Sequence, residues 1–89
     1  MKRVVSVSEI LDIINPILED RVLTEQEINE DLQSLGLTSV TFVMMVVELE
    51  DTFGIEIPDE YLLFTRLPSV AVVHEVITSL VNNEVIDVI

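Results

Sequence analysis

One serine stands out as the residue best placed to take part in chemistry. It follows a glycine turn and precedes an apolar run, in the stretch Leu35-Gly36-Leu37-Thr38-Ser39-Val40. This pattern is typical of a helix entrance, where the first backbone N–H groups have no partners within the helix. A serine at such a place is exposed and held in a fixed direction. The local pattern leaves two interpretations of Ser39 open, a simple helix cap or a site that carries a chemical group.

The other reactive side chains do not indicate a second site. The chain has no cysteine and one histidine, so disulfides, thiolate metal sites and a cysteine nucleophile are excluded. Nothing in the sequence pairs His74 with Ser39 as a general base, and we interpret His74 as a surface or half-buried helix residue. The acids from Glu48 to Glu60 lack the spacing of a calcium-binding loop. We therefore predict no catalytic residue and no metal site.

The charge of the chain is strongly unbalanced. Asp and Glu number 17 against 4 Lys and Arg, a formal net charge of −13, which argues against nucleic-acid binding. The acids either attract partners with basic patches or only keep an apolar chain in solution. The longest apolar run is too short to span a membrane, and Glu9 and Asp12 interrupt any signal-peptide core. We expect a cytoplasmic monomer without membrane partners.

The hydrophobic pattern predicts a single all-α domain over residues 1–89. A chain of 89 residues has room for one core, and its few glycines and prolines favour a few long helices over many short strands. Ser6 and Glu9 have the spacing of a capping box. Apolar residues at helical spacing predict helices at about 7–20, 39–53, 58–64 and 69–82. Residues 83–89 form a tail for which the pattern favours neither helix nor strand.

Several residues are expected to interrupt or end these helices. Pro16 removes a backbone donor, so the first helix either kinks there or ends near Asn15 and then resumes. A long loop follows, and we expect its apolar residues to be anchored to the core. Gly36 allows the final tight turn, and Gly54 ends the second helix. The stripe of the second helix that we expect to face the core consists of Phe42, Met45, Val46, Leu49 and Phe53.

Two sequence blocks resemble the acyl and peptidyl carrier protein family. The first is Asp31-Leu32-Gln33-Ser34-Leu35-Gly36-Leu37-Thr38-Ser39-Val40, and the second is Glu48-Leu49-Glu50-Asp51-Thr52-Phe53-Gly54-Ile55-Glu56-Ile57-Pro58-Asp59-Glu60. The helix start Leu67-Pro68-Ser69-Val70 resembles the family's last segment, so the resemblance covers nearly the whole chain. It implies a four-helix bundle of acyl-carrier type, with a long first loop and a short third helix.

The resemblance also implies a function, that of a free-standing carrier protein that is not an enzyme. Members carry 4′-phosphopantetheine, derived from coenzyme A, on the serine at the start of helix two. That serine corresponds to Ser39, with Thr38 and Gly36 as its context. The thiol of the arm holds acyl or aminoacyl groups as thioesters. The implied partners are a phosphopantetheinyl transferase, an acyl- or aminoacyl-loading enzyme and downstream biosynthetic enzymes.

The chain departs from the family pattern in two places. Thr38 replaces the usual aspartate, which contributes to recognition by the transferase. The first half of helix two lacks the usual acids, and we expect a partner-binding surface made of Val40, Val43, Met44, Val47, Glu48 and Asp51. This surface favours a specialised, secondary-metabolite pathway, although its apolar residues are equally compatible with a place in the core. The alternative function is an unmodified carrier-fold interaction module that docks through helix two.

Overall fold

The computed structural model describes residues 3–18 and 21–82. Within them the chain forms three α-helices, two single-turn 3₁₀ helices and no strand, which confirms the all-α class. The α-helices are α1 (Val7–Ile14), α2 (Ser39–Phe53) and α3 (Val70–Val81). The 3₁₀ turns are Glu25–Glu27, in the long loop after α1, and Asp59–Tyr61, between α2 and α3. The predicted tail, 83–89, lies outside the described residues.

Helix α1 begins as predicted but is shorter than predicted. The Ser6 hydroxyl accepts the N–H of Glu9 at 3.1 Å, and the Glu9 carboxylate accepts the N–H of Ser6 at 3.0 Å. This second bond is the main reason why the pKa of Glu9 is below its ordinary value. The helix ends at Ile14 with Asn15 as its C-cap, which agrees with the predicted end near Asn15, but no helix resumes within residues 15–18. The cause is Pro16, which supplies no N–H and crowds the preceding turn. Residues 19 and 20 lie outside the described residues.

The side chain of Asn15, the C-cap of α1, holds the first part of the long loop in place. The side chain of Asn15 accepts the N–H of Leu23 at 2.7 Å and donates to the Leu23 carbonyl at 3.1 Å. Satisfying both backbone groups of one loop residue fixes where the chain leaves the helix. Further along, Thr24 and Glu27 form a second complete capping box around the first 3₁₀ turn.

The third predicted helix, 58–64, is reduced to the 3₁₀ turn Asp59–Tyr61. Pro58 precedes this turn with an extended ψ of 145° instead of occupying the first helical position. A helix this short makes too few internal hydrogen bonds to offset the cost of nucleation, and Leu62 and Leu63 remain exposed. The described residues therefore contain three of the four expected α-helices, with a 3₁₀ turn at the place of the third.

The core is built mainly from Val, Ile and Leu side chains, with a few aromatic residues among them. Helix α1 packs against both α2 and α3. The stripe predicted for α2 is buried over its whole length, which confirms Phe42, Met45, Val46, Leu49 and Phe53 as core residues. In the long loop Leu32, Leu35 and Leu37 are buried as well, so the loop is anchored as predicted. None of the helices in the described ranges has the length and apolar character needed to cross a membrane.

The segment before α1 is tied to α3. The backbone N–H and carbonyl of Arg3 bond to the side chain of Asn82 at 2.7 Å and 3.0 Å. The Nε2 atom of His74 lies 2.5 Å from the Val5 carbonyl oxygen. His74 is half-buried, as interpreted from the sequence, and this contact gives the single histidine a structural role.

Candidate functional site

Ser39 is the first residue of α2, and Thr38 is its N-cap. The Thr38 hydroxyl accepts the N–H of Thr41 at 3.2 Å, while the Thr41 hydroxyl accepts the N–H of Thr38 at 2.7 Å. This is the reciprocal arrangement of a capping box, with threonine in the place of the usual Glu or Gln. The hydroxyls of Thr38 and Thr41 are therefore both engaged at the helix start, and Ser39 lies between these two residues in the sequence.

The loop before α2 sets the position of Ser39. The N–H of Leu32 donates to the Pro68 carbonyl at 2.8 Å, and the Leu32 carbonyl accepts the N–H of Leu37 at 2.9 Å. The turn enclosed by the second bond passes through Gly36, whose φ is 108°. A Cβ atom at Gly36 would have open space, so glycine is needed there for its backbone conformation. The turn confirms the prediction made for Gly36.

The entrance of α2 is open to an anion. Ser39 and Val40 are exposed, and among the described residues no acceptor bonds to the N–H of either. The first turn of α2 contains no acidic residue. Free N–H groups and the positive end of the helix dipole together favour a negatively charged group at this place.

Nothing in the described part of the chain makes Ser39 a catalytic nucleophile. Its hydroxyl has no partner there that could act as a base, and the Nε2 atom of His74 contacts Val5 instead. Within residues 3–18 and 21–82, no three acidic or histidine side chains gather as a metal site. Among the described residues, none is placed to activate the hydroxyl of Ser39.

A cavity of about 230 Å³ lies at the entrance of α2. Its walls are formed by the segment after α1, the long loop and the capping box of α2. The lining residues are Ile17, Leu18, Arg21, Leu35, Gly36, Thr38 and Thr41. The sequence had not indicated Arg21 or Thr41 as site residues. Thr41 could have been found from its position three residues after the cap, whereas no local pattern marks Arg21.

The outward face of α2 is apolar. Val40, Val43, Met44 and Val47 are 69%, 59%, 50% and 47% exposed, so the interpretation that they belong to the core is wrong. The neighbouring Met45 is fully buried. With the exposed Glu48 and Asp51, these four side chains share one side of the helix at 100° per residue. We call this set of six residues the α2 front.

A comparison with known protein families identifies the class of protein to which the chain belongs. The family model described as "Phosphopantetheine attachment site" matches residues 7–77. The chain belongs to this family. The carrier is also 34% identical over 56 residues to a protein named "Acyl carrier protein homolog" from Ureaplasma parvum serovar 3 (strain ATCC 700970), covering 61% of this chain and 73% of that relative. No solved structure gives a significant match.

Membership of this family makes the protein a carrier rather than an enzyme, with 4′-phosphopantetheine as its covalent group. The geometry fits such a group. Ser39 is an exposed residue whose hydroxyl could carry a phosphodiester, the N–H groups of Ser39 and Val40 have no acceptor among the described residues, and no acid of the first turn opposes the charge. The family also implies contacts with a phosphopantetheinyl transferase and with other enzymes.

Thr38→Ala is expected to destabilise the carrier by about 0.5–2 kcal/mol, because it removes the N-cap of α2. Thr38→Asp retains a capping oxygen and adds a negative charge at the positive end of the helix, so its free energy of unfolding should equal or slightly exceed that of the parent. Urea unfolding followed by circular dichroism measures both. Thr52→Ala, an exposed α2 residue, is the control. Equal stability of Thr38→Ala and the parent would contradict the capping role.

Proposed function

We propose that Ser39 is the attachment residue and that the protein presents acyl or aminoacyl thioesters to biosynthetic enzymes. The observation that carries this proposal is the exposed position of Ser39 as first residue of α2, within the matched segment 7–77. When bound, the arm supplies the thiol that a chain without cysteine lacks. Thr38 and Thr41 close the helix start, and the turn at Gly36 leaves the hydroxyl accessible to a transferase.

The α2 front supports a second part of the proposal, the type of partner. Its centre is made of exposed Val and Met side chains, while Glu48 and Asp51 lie toward the C-terminal end of the helix. Such a surface matches a partner with an apolar pocket and a basic edge, in which the pocket supplies affinity and the charges supply orientation. We infer from the apolar centre that the partners belong to a specialised, secondary-metabolite pathway.

The attachment site is tested by loading the purified apo-protein with coenzyme A and a broad-specificity phosphopantetheinyl transferase. Intact mass spectrometry should show a gain of one phosphopantetheinyl group in the parent and none in Ser39→Ala. Ser34→Ala is the matched control, because Ser34 is an exposed serine of the preceding loop, and it should load as fully as the parent. An adduct that persists in Ser39→Ala would refute the assignment. Absence of any adduct would favour the unmodified interaction module.

A further inference from the structure

We propose that the groove between α1 and α2 is a docking site for a helix of a partner protein, one that presents leucine or methionine side chains flanked by lysine or arginine. The groove lies on the side of α2 away from Ser39, so this partner would bind whether or not the arm is attached. The inference therefore goes beyond the proposed function and does not depend on it. It rests on the lining of the groove, its charges and the position of Ser39 around α2.

The groove is a cavity of about 520 Å³ between α2 on one side and α1 with the residues just after it on the other. Its apolar part consists of the half-buried Ile13 and Ile17 and of Met44, which is 50% exposed. From Met44 to Thr52 the groove follows α2 for about 12 Å, or roughly two turns. Its other lining residues are exposed, so it cannot enclose a small molecule as a ligand pocket does. The apolar face of a helix fits an open groove of this kind.

The charges of the groove favour a basic partner. Asp12 lines it from α1 and Glu48 lines it from α2, and both residues are exposed. Among the described residues, no lysine or arginine lines this groove. Basic side chains at the edges of a docked helix would therefore meet a carboxylate on each wall. A second copy of the chain would instead bring a net charge of −13, and like charges oppose association.

Ser39 lies on the opposite side of α2 from the groove. It precedes Glu48 by nine residues, which at about 100° per residue places the two side chains roughly 180° apart around the helix axis. Val43, at the centre of the α2 front, lies about 140° from Glu48 and does not line the groove. A helix docked in the groove would thus cover Met44 and Glu48 and leave Ser39 uncovered. Such a partner needs no contact with the arm.

The inference is tested by titrating the apo and holo proteins with a synthetic peptide and following the NMR signals of the side-chain methyl groups. The probe is an alanine-based helix of about 20 residues, since shorter isolated helices are marginal in water. It carries two leucines one turn apart and a lysine on either side of them. We expect it to shift the signals of Ile13, Ile17 and Met44 equally in both forms. A control peptide with the same residues but no apolar face should bind about ten-fold more weakly, because its leucines cannot be buried together.

Variants of the groove separate its apolar part from its charges. Met44→Gln keeps the length of the side chain and should weaken binding of the probe about five-fold or more, because a polar amide replaces an apolar contact. Val4→Gln, at an exposed valine before α1, is its control. Glu48→Gln should weaken binding about two- to five-fold, the range for an exposed ion pair. Glu30→Gln removes the same charge at an exposed residue outside the groove and should match the parent.

Three results would count against the inference. Shifts confined to Val40, Val43 and Val47, or equal binding of probe and control peptide, would overturn the groove as the docking site. Weaker binding to the holo form would show that the arm competes for the groove and would refute its independence from the arm. Groove signals that shift with protein concentration alone would identify a second copy as the occupant instead of a basic partner. Intact mass reports separately whether Ser39 carries the arm, so a failure of the proposed function is distinguishable from a failure here.

Discussion

Leu32→Ala is expected to lower the free energy of unfolding by about 2–5 kcal/mol, the usual cost of truncating a fully buried leucine. Leu32 is 0% exposed although it lies in a loop. Its backbone bonds both to Pro68, before α3, and to Leu37, before α2. The side chain therefore anchors the segment that leads to Ser39, and its loss leaves a cavity where the loop meets the core.

Urea unfolding followed by circular dichroism measures this effect. Gln33→Ala is the matched control, because Gln33 is the exposed neighbour and a surface truncation changes stability by about 0.5 kcal/mol or less. Amide hydrogen exchange should show lost protection first at Leu37, whose N–H bonds to the Leu32 carbonyl. A loss below about 1 kcal/mol in Leu32→Ala would contradict the anchoring of the loop, since large-to-small core changes rarely cost so little.

Val43→Asp is expected to lower kcat/KM for transfer of the arm by about 30-fold or more, with the fold intact. An apolar residue at the centre of a docking surface contributes about 2 kcal/mol or more when it is a hot spot, and a carboxylate there adds a desolvation cost. Val43 is 59% exposed in the free protein, so the change should alter the free energy of unfolding by only about 0.5 kcal/mol.

The measurement is the rate of phosphopantetheinyl transfer at several carrier concentrations, which separates KM from kcat. Loss of docking should raise KM. The control is Val4→Asp, which introduces the same charge at a valine that is 85% exposed and lies outside α2. An unchanged kcat/KM in Val43→Asp, or an equal loss in Val4→Asp, would contradict the assignment of the α2 front as the docking surface for the transferase.

Helix α2 could be predicted from the sequence because both of its ends carry strong local signals. Thr38 supplies the cap, and Gly54 adopts the left-handed conformation at the other end with φ 63°, which glycine reaches without strain. The spacing of Phe42, Leu49 and Phe53 fixes the buried side. What the sequence could not decide was whether Val43 and its apolar neighbours faced solvent, since that depends on which elements cover α2.

The other helices show where local patterns are insufficient. The apolar spacing continues past Pro16 because Ile17 and Leu18 still pack against the core or lie within it, although the helix ends at Ile14. At Pro58 the composition suits a helix start, yet only a 3₁₀ turn forms. In both places apolar side chains pack against the core although the backbone is not α-helical. Hydrophobic periodicity alone cannot distinguish an α-helix from a non-helical segment that is packed in this way.

The candidate site was predictable only in part. Ser39 and Gly36 follow from a turn next to a helix start and from the resemblance to carrier proteins. Arg21 does not, because its place at the cavity is set by the path of a long loop whose course depends on Asn15 bonding to Leu23 and on the burial of Leu35. Such contacts between distant residues leave no periodic pattern in a single sequence.

The most direct measurement is the mass of the protein purified from its own cell, followed by fragmentation of the peptide that contains Ser39. We predict that a phosphopantetheinyl group, free or carrying an acyl or aminoacyl thioester, is found on Ser39 and on no other residue. The group should be lost from the Ser39→Ala protein expressed in the same cell. Recovery of the native protein without this group, or with the group on another residue, would contradict Ser39 as the attachment site.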